Sequence, residues 1–120
     1  MDASREIHVL AQALNLENTR QDWGITNSDP SRVAEFIRFC ETTELTPVQQ
    51  FAMGELVLAS ANDALVEGVA DEGLIDIIER FLASGLHGLP AHFGYWSSLD
   101  DEEEFPIGSL LRRLATHASP

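Results

Sequence analysis

Thr46 to Glu67 reads TPVQQFAMGELVLASANDALVE, and the interpretation of this stretch decides the fold. The Thr46 hydroxyl can cap a helix, Pro47 suits the first helical position, and Gln49 stands three residues after the cap, the spacing of a capping box. No proline follows before Pro90, and Gly68 offers the left-handed residue on which helices end. A helix of about 30 Å, at 1.5 Å per residue, is predicted. Val48, Phe51, Ala52, Leu58 and Ala59 form one apolar stripe along it, and Met53, Leu56, Val57, Ala61, Ala64 and Leu65 cover most of the remaining circumference. A helix apolar nearly all round belongs at the buried centre of its domain, so the other segments should surround this one.

Those segments are themselves helical in period. From Ser4 to about Leu16, Ile7, Leu10, Ala11 and Leu14 recur at helical spacing behind a serine cap. The following NTRQDWGITNSDP is dense in Asn, Thr, Asp and Gly and reads as an irregular connection, with Trp23 and Ile25 tucked against the core. Asp29 and Pro30 form a cap and a first-turn proline for a helix to about Glu41, with Val33, Phe36, Ile37 and Cys40 inward and Glu35 and Arg38 left wet. Asp71 caps the next helix, whose stripe is Leu74, Ile77, Ile78, Phe81 and Leu82, ending at Gly85. LHGLPAHFGYWSSL, residues 86–99, contains three glycine or proline breakers and reads as a structured aromatic loop with room for one helical turn. Phe105 and Pro106 then open a last helix with Ile107, Leu110, Leu111 and Leu114 inward and Arg112, Arg113 and His117 toward its end, where cations oppose the helix dipole. Every long segment has a period near 3.6 and none alternates over strand length, so residues 1–120 are expected to form one all-α domain, a bundle of about five helices around the central one.

Twenty acids face seven bases, all arginine, for a formal charge of -13. A field of that sign repels phosphate backbones, which argues against direct nucleic-acid binding, and attracts basic proteins. Acidity also confers solubility without any partner. No run reaches the length of a membrane span, and Asp2, Arg5 and Glu6 stand where a signal peptide would be apolar, so a cytoplasmic protein with no membrane association is expected. Cys40 is the single cysteine; it excludes an intrachain disulfide and falls on an apolar face, the position of a buried inert thiol.

The candidate partner-binding residues are Tyr95 and Trp96 with the acids that follow, Asp100, Asp101, Glu102, Glu103 and Glu104. Amphipathic rings supply interface anchors, and adjacent carboxylates can meet arginine or lysine on a partner. The same stretch also reads as a solvated linker whose charges favour the next helix and whose rings close the core. Glu55 and Asn62 form a second candidate, a structural polar cluster on the central helix. A carboxylate there needs backbone donors or an arginine, for which Arg32, Arg38 and Arg80 are available, and packing explains it better than acid catalysis. Asp63 could join it or face water. His8, His87, His92 and His117 form no helical ligand pair, and no nucleophile elbow, phosphate loop, dinucleotide fingerprint or cysteine pair is present. No catalytic residue, metal set or cofactor is therefore assigned, and the chain is not expected to be an enzyme.

DWGI from Asp22, DPSRVAEFI from Asp29, FAMGELVLASANDAL from Phe51, and YW followed by the acidic run and FPIGSLLR together resemble the helical immunity proteins of bacterial polymorphic-toxin and contact-dependent inhibition systems. The likeness covers most of Asp22 to Leu114 and contains no diagnostic motif. It implies an antitoxin that binds and blocks a cognate toxin domain, often a nuclease; nucleases tend to be basic, so an acidic protein can be steered to them. A second reading is a regulatory or adaptor module, monomeric or homodimeric. A third is a small metal-dependent hydrolase with Glu55, Asp63, His87 or His92 as ligands.

Overall fold

The computed structural model describes residues 3–18, 23–83, 96 and 105–118. Its helices are α1 Ala3–Leu14, α2 Trp23–Thr26, α3 Val33–Thr42, α4 Pro47–Glu67, α5 Glu72–Ala83 and α6 Pro106–Ala118, with a short 3-10 helix at Pro30–Arg32 leading into α3. No strand occurs among the described residues, and the architecture is all-α.

The two ends of α4 are built by local chemistry. Thr46 Oγ1 accepts the Gln49 N–H at 3.3 Å while Gln49 Oε1 accepts the Thr46 N–H at 3.0 Å, so two donors that the helix leaves orphaned are satisfied reciprocally. At the other end Gly68 has a φ of 71°. The Val69 N–H donates to the Ala64 carbonyl at 3.0 Å and the Gly68 N–H to that of Leu65 at 3.3 Å, a Schellman closure. α1 ends in the same way on Asn15, with a φ of 56°, and the Leu16 N–H donates to the Ala11 carbonyl at 2.8 Å. Asparagine tolerates the left-handed region better than other side chains. Asp71 Oδ1 caps α5 by accepting the Leu74 N–H at 2.8 Å.

Around α4 pack α1, α2, the 3-10 helix, α3 and α6, while α5 lies outside this layer against α3 and α6. Met53, Leu56, Val57, Leu58 and Ala61 have no surface left in water. Each large side chain buried in this way contributes roughly 1.5–3 kcal/mol of transfer free energy, which makes α4 the thermodynamic centre of the molecule.

Three expectations need correction. Phe51, placed on the inner stripe, is half-exposed. A 21-residue helix is longer than its neighbours can cover, so the enclosed part runs from Ala52 to Ala64 and the ends project. Ile25 is half-exposed although Trp23 is buried, because the connection forms a helical turn and residues two apart lie about 200° apart on it. Ile77 is 38% exposed; α5 has neighbours on one side, and its buried strip centres on Ile78, Phe81 and Leu82.

Candidate interaction surface

The polar residues of α4 bond to the pieces around it. Glu55 Oε1 accepts the Gly24 N–H at 2.9 Å, Ser60 Oγ accepts the Asp29 N–H at 3.0 Å, and Asp63 Oδ2 accepts the Ser28 hydroxyl at 2.7 Å. Asn62 Oδ1 accepts the Ile107 N–H at 3.1 Å, and Gln49 Nε2 donates to the Glu6 carbonyl at 3.2 Å. Most of these bonds satisfy a backbone group at or near the end of another helix, where no intrahelical partner exists. Glu55 and Asn62 are therefore structural, but they are not one cluster. Seven residues separate them, about 10 Å along the axis, and they hold α2 and α6 respectively. Glu55 uses a backbone donor rather than any of the three arginines considered for it.

Close approach accompanies the Glu55 bond. A Cβ at Gly24 would lie 2.6 Å from the Leu56 nitrogen and 2.7 Å from Glu55 Cγ, so α2 meets α4 at a point where only glycine fits. Asn27 extends the lock: its amide accepts the Glu17 N–H at 2.9 Å and donates to the Glu17 and Trp23 carbonyls at 3.0 Å each.

Of the proposed partner-binding residues, Tyr95, Asp100, Asp101, Glu102, Glu103 and Glu104 lie outside the described residues. Trp96 is described, and it is only 6% exposed. Its ring meets Phe105 edge-on, with centroids 6.5 Å apart and planes at 74°, a favourable aromatic geometry. Trp96 is thus a core residue, as in the reading that the rings of this stretch close the core, and not an exposed anchor. The apolar side chains that do face water are elsewhere: Val66 and Val69 at the end of α4 and Ile77 on α5 are among them.

The described arginines are partly committed within the chain. Arg32 forms a two-pronged bond to Glu35 at 2.8 and 2.6 Å, donates to the Leu14 carbonyl at the end of α1 at 2.8 Å, and stacks 4.8 Å above the Phe36 ring. The bond from Arg32 holds the Glu35 carboxyl below its ordinary range, and the Ser31 hydroxyl does the same for Asp29. Arg80 pairs with Asp76 at 2.6 Å on the surface of α5. Glu41, Glu44, Glu67, Asp71 and Glu72 are exposed, and among the described residues none of them has an ion-pair partner.

Cys40 is buried, and desolvation by its apolar surroundings pushes the thiol up to about 12. The nucleophilic thiolate is then scarce near neutrality. Native protein at pH 8 is expected to react with a disulfide reagent at least about a hundredfold more slowly than unfolded protein, whose thiol has a pKa near 8.5. Stopped-flow absorbance with and without denaturant checks this, and equal rates would place Cys40 in contact with water.

An open groove of about 310 Å³ lies between α1 and the start of α4, lined by Arg5, Glu6, Val9, Thr46 and Gln49. Its lining contains no nucleophile paired with a base. Glu55 and Asp63 are occupied by Gly24 and Ser28, His87 and His92 lie outside the described residues, and no group of three or more His, Cys, Asp or Glu among the described residues is placed to hold a metal. Among them, too, no helix is long and apolar enough to cross a membrane. Fold and surface together define a small acidic all-α domain built on an enclosed central helix. No protein-family model, curated protein or solved structure matches the chain.

Proposed function

We propose that this protein is an immunity protein, a cytoplasmic antitoxin that binds a cognate bacterial toxin domain of basic, nuclease-like character and neutralises it without catalysis. The observation that carries the reading is the charge of -13 on a chain whose Arg32 and Arg80 are already engaged by acids of their own neighbourhood. Glu41, Glu44, Glu67, Asp71 and Glu72 are exposed and have no ion-pair partner among the described residues, so their charge is not cancelled within the fold. Such a field accelerates encounter with a positively charged protein and rejects wrong partners, while the affinity itself comes from desolvated contacts at the interface. The acids from Asp100 to Glu104 add to that field, and a basic partner would relieve their mutual repulsion.

The test is co-production with products of neighbouring genes that are toxic when produced alone. Growth should be restored and a complex should form, and the association rate should fall by roughly tenfold or more between low and physiological salt, because screening then acts within about 8 Å. Absence of rescue and of a complex ends the reading. An association rate indifferent to salt removes its electrostatic basis.

A further inference from the structure

We infer that the corner between α4 and α5 is a docking surface for a basic protein segment, one that presents arginine or lysine around an apolar side chain. In a Schellman closure the residue after the left-handed glycine ordinarily packs back on the helix it ends. Here that residue, Val69, is 56% exposed, and Val66 on the last turn of α4 is 50% exposed. Ile77, at 38%, extends the apolar character along the solvent side of α5. Glu67, Asp71, Glu72 and Asp76 are interspersed with these residues and all are exposed; the nearby cation, Arg80, is bonded to Asp76. Exposed aliphatics and exposed carboxylates alternate along this stretch, the first supplying apolar area and the second the charge that selects a partner.

Charge decides the occupant. A second copy of the chain would set carboxylates against carboxylates, and nucleic acid or an anionic membrane would be repelled. A cationic protein surface can pair with Glu67 and Glu72, which have no ion-pair partner among the described residues. The corner is also held in shape before binding, by the left-handed Gly68, the bond from Val69 to Ala64 and the cap of Asp71 on Leu74, so little ordering entropy is lost on association. The place of the surface follows from its own residues, while the assignment of its occupant to a toxin rests on the function proposed above.

A photocrosslinking amino acid at position 69, compared with one at Val9 on α1, tests the surface in the native host. The expected product joins position 69 to a segment rich in arginine and lysine, with little product from position 9. Its yield should fall at least about tenfold in the Glu67→Lys/Glu72→Lys variant, whose helix content, checked by circular dichroism, should be unchanged. A crosslink to a second copy, to an acidic or neutral protein, to nothing, or in equal yield from position 9 overturns the proposal, as does a yield indifferent to the charge reversals. If the captured basic protein is harmless when produced alone, the antitoxin reading fails and the surface stands. If Val69→Asp with both reversals still rescues growth from the toxin with unchanged affinity, the surface fails and the antitoxin reading stands.

Discussion

Replacing Gly24 by alanine is expected to lower the stability of the folded protein by about 3 kcal/mol, far more than a methyl group at an average position. The added Cβ would lie 2.6 Å from the Leu56 nitrogen and 2.9 Å from the Glu55 carbonyl carbon. Both are backbone atoms of the enclosed part of α4, which cannot withdraw without disturbing every helix packed on it. α2 must move instead. Lifting it breaks the 2.9 Å bond from the Gly24 N–H to Glu55 Oε1 and draws the buried Trp23 out of its site. Overpacking of this kind costs about 1–3 kcal/mol and an orphaned buried N–H another 1–3, of which part is recovered as α2 relaxes toward water. The urea midpoint should fall by about 1–3 M, given a slope of roughly 1–3 kcal/mol per M.

Gly73 supplies the control for that experiment. A Cβ there would meet only Asp71 Oδ1, at 3.5 Å, an ordinary contact on the exposed first turn of α5. Gly73→Ala should therefore raise stability, by up to about 1 kcal/mol, through helix propensity alone. The two substitutions add the same methyl group and are predicted to have opposite signs. A Gly24→Ala midpoint equal to that of the parent would show that α2 is not seated on α4 in the way described.

Gly24 also illustrates what could and could not be read from the amino-acid order. The start and end of α4 were legible because a capping box and a left-handed glycine act over a few residues. The all-round apolar character of its middle was also legible, but enclosure covers only Ala52 to Ala64, less than the whole of Thr46 to Glu67 that was expected at the centre. Gly24, by contrast, looked like one more turn residue in a polar connection. Its requirement comes from Glu55 and Leu56, more than thirty residues further along, and local pattern contains no trace of such a contact. Glu55 and Asn62 could be recognised as polar groups needing partners on an apolar helix. Which partners they would find depended on where α2 and α6 begin in space, a tertiary fact. Trp96 failed for a related reason: adjacency to a run of acids does not tell which way a ring turns, and this one turns toward Phe105. The exposure of Phe51 depends on how far neighbouring helices extend and that of Ile77 on which side of α5 they lie, neither of which helical period encodes.

Asn62→Ala is expected to loosen α6 as a unit while leaving the remainder folded, at a cost of about 2 kcal/mol. Asn62 is buried, and its Oδ1 takes the Ile107 N–H at 3.1 Å, on a helix whose Ile107 and Leu111 have almost no exposure. That N–H belongs to the first turn of α6, where no preceding carbonyl of the helix is available to it. Alanine removes the polar amide and also leaves a small void, so lost hydrogen bonding and lost packing could each produce the loss. Asn62→Leu separates them, because leucine restores the volume but not the acceptor. If the orphaned donor dominates, leucine should be about as damaging as alanine; a parent-like leucine variant would assign the loss to the void. Asn62→Asp keeps an acceptor at a helix start, where negative charge is favoured, but must desolvate it, and should fall between the parent and alanine. Hydrogen exchange locates the effect: amides of α6 should exchange roughly thirtyfold faster, the factor equivalent to about 2 kcal/mol, while those of α3 keep the parent rate. Uniform acceleration in both helices would mean that α6 opens only when the whole molecule does, and that the Asn62 bond is one more contact of a single cooperative core.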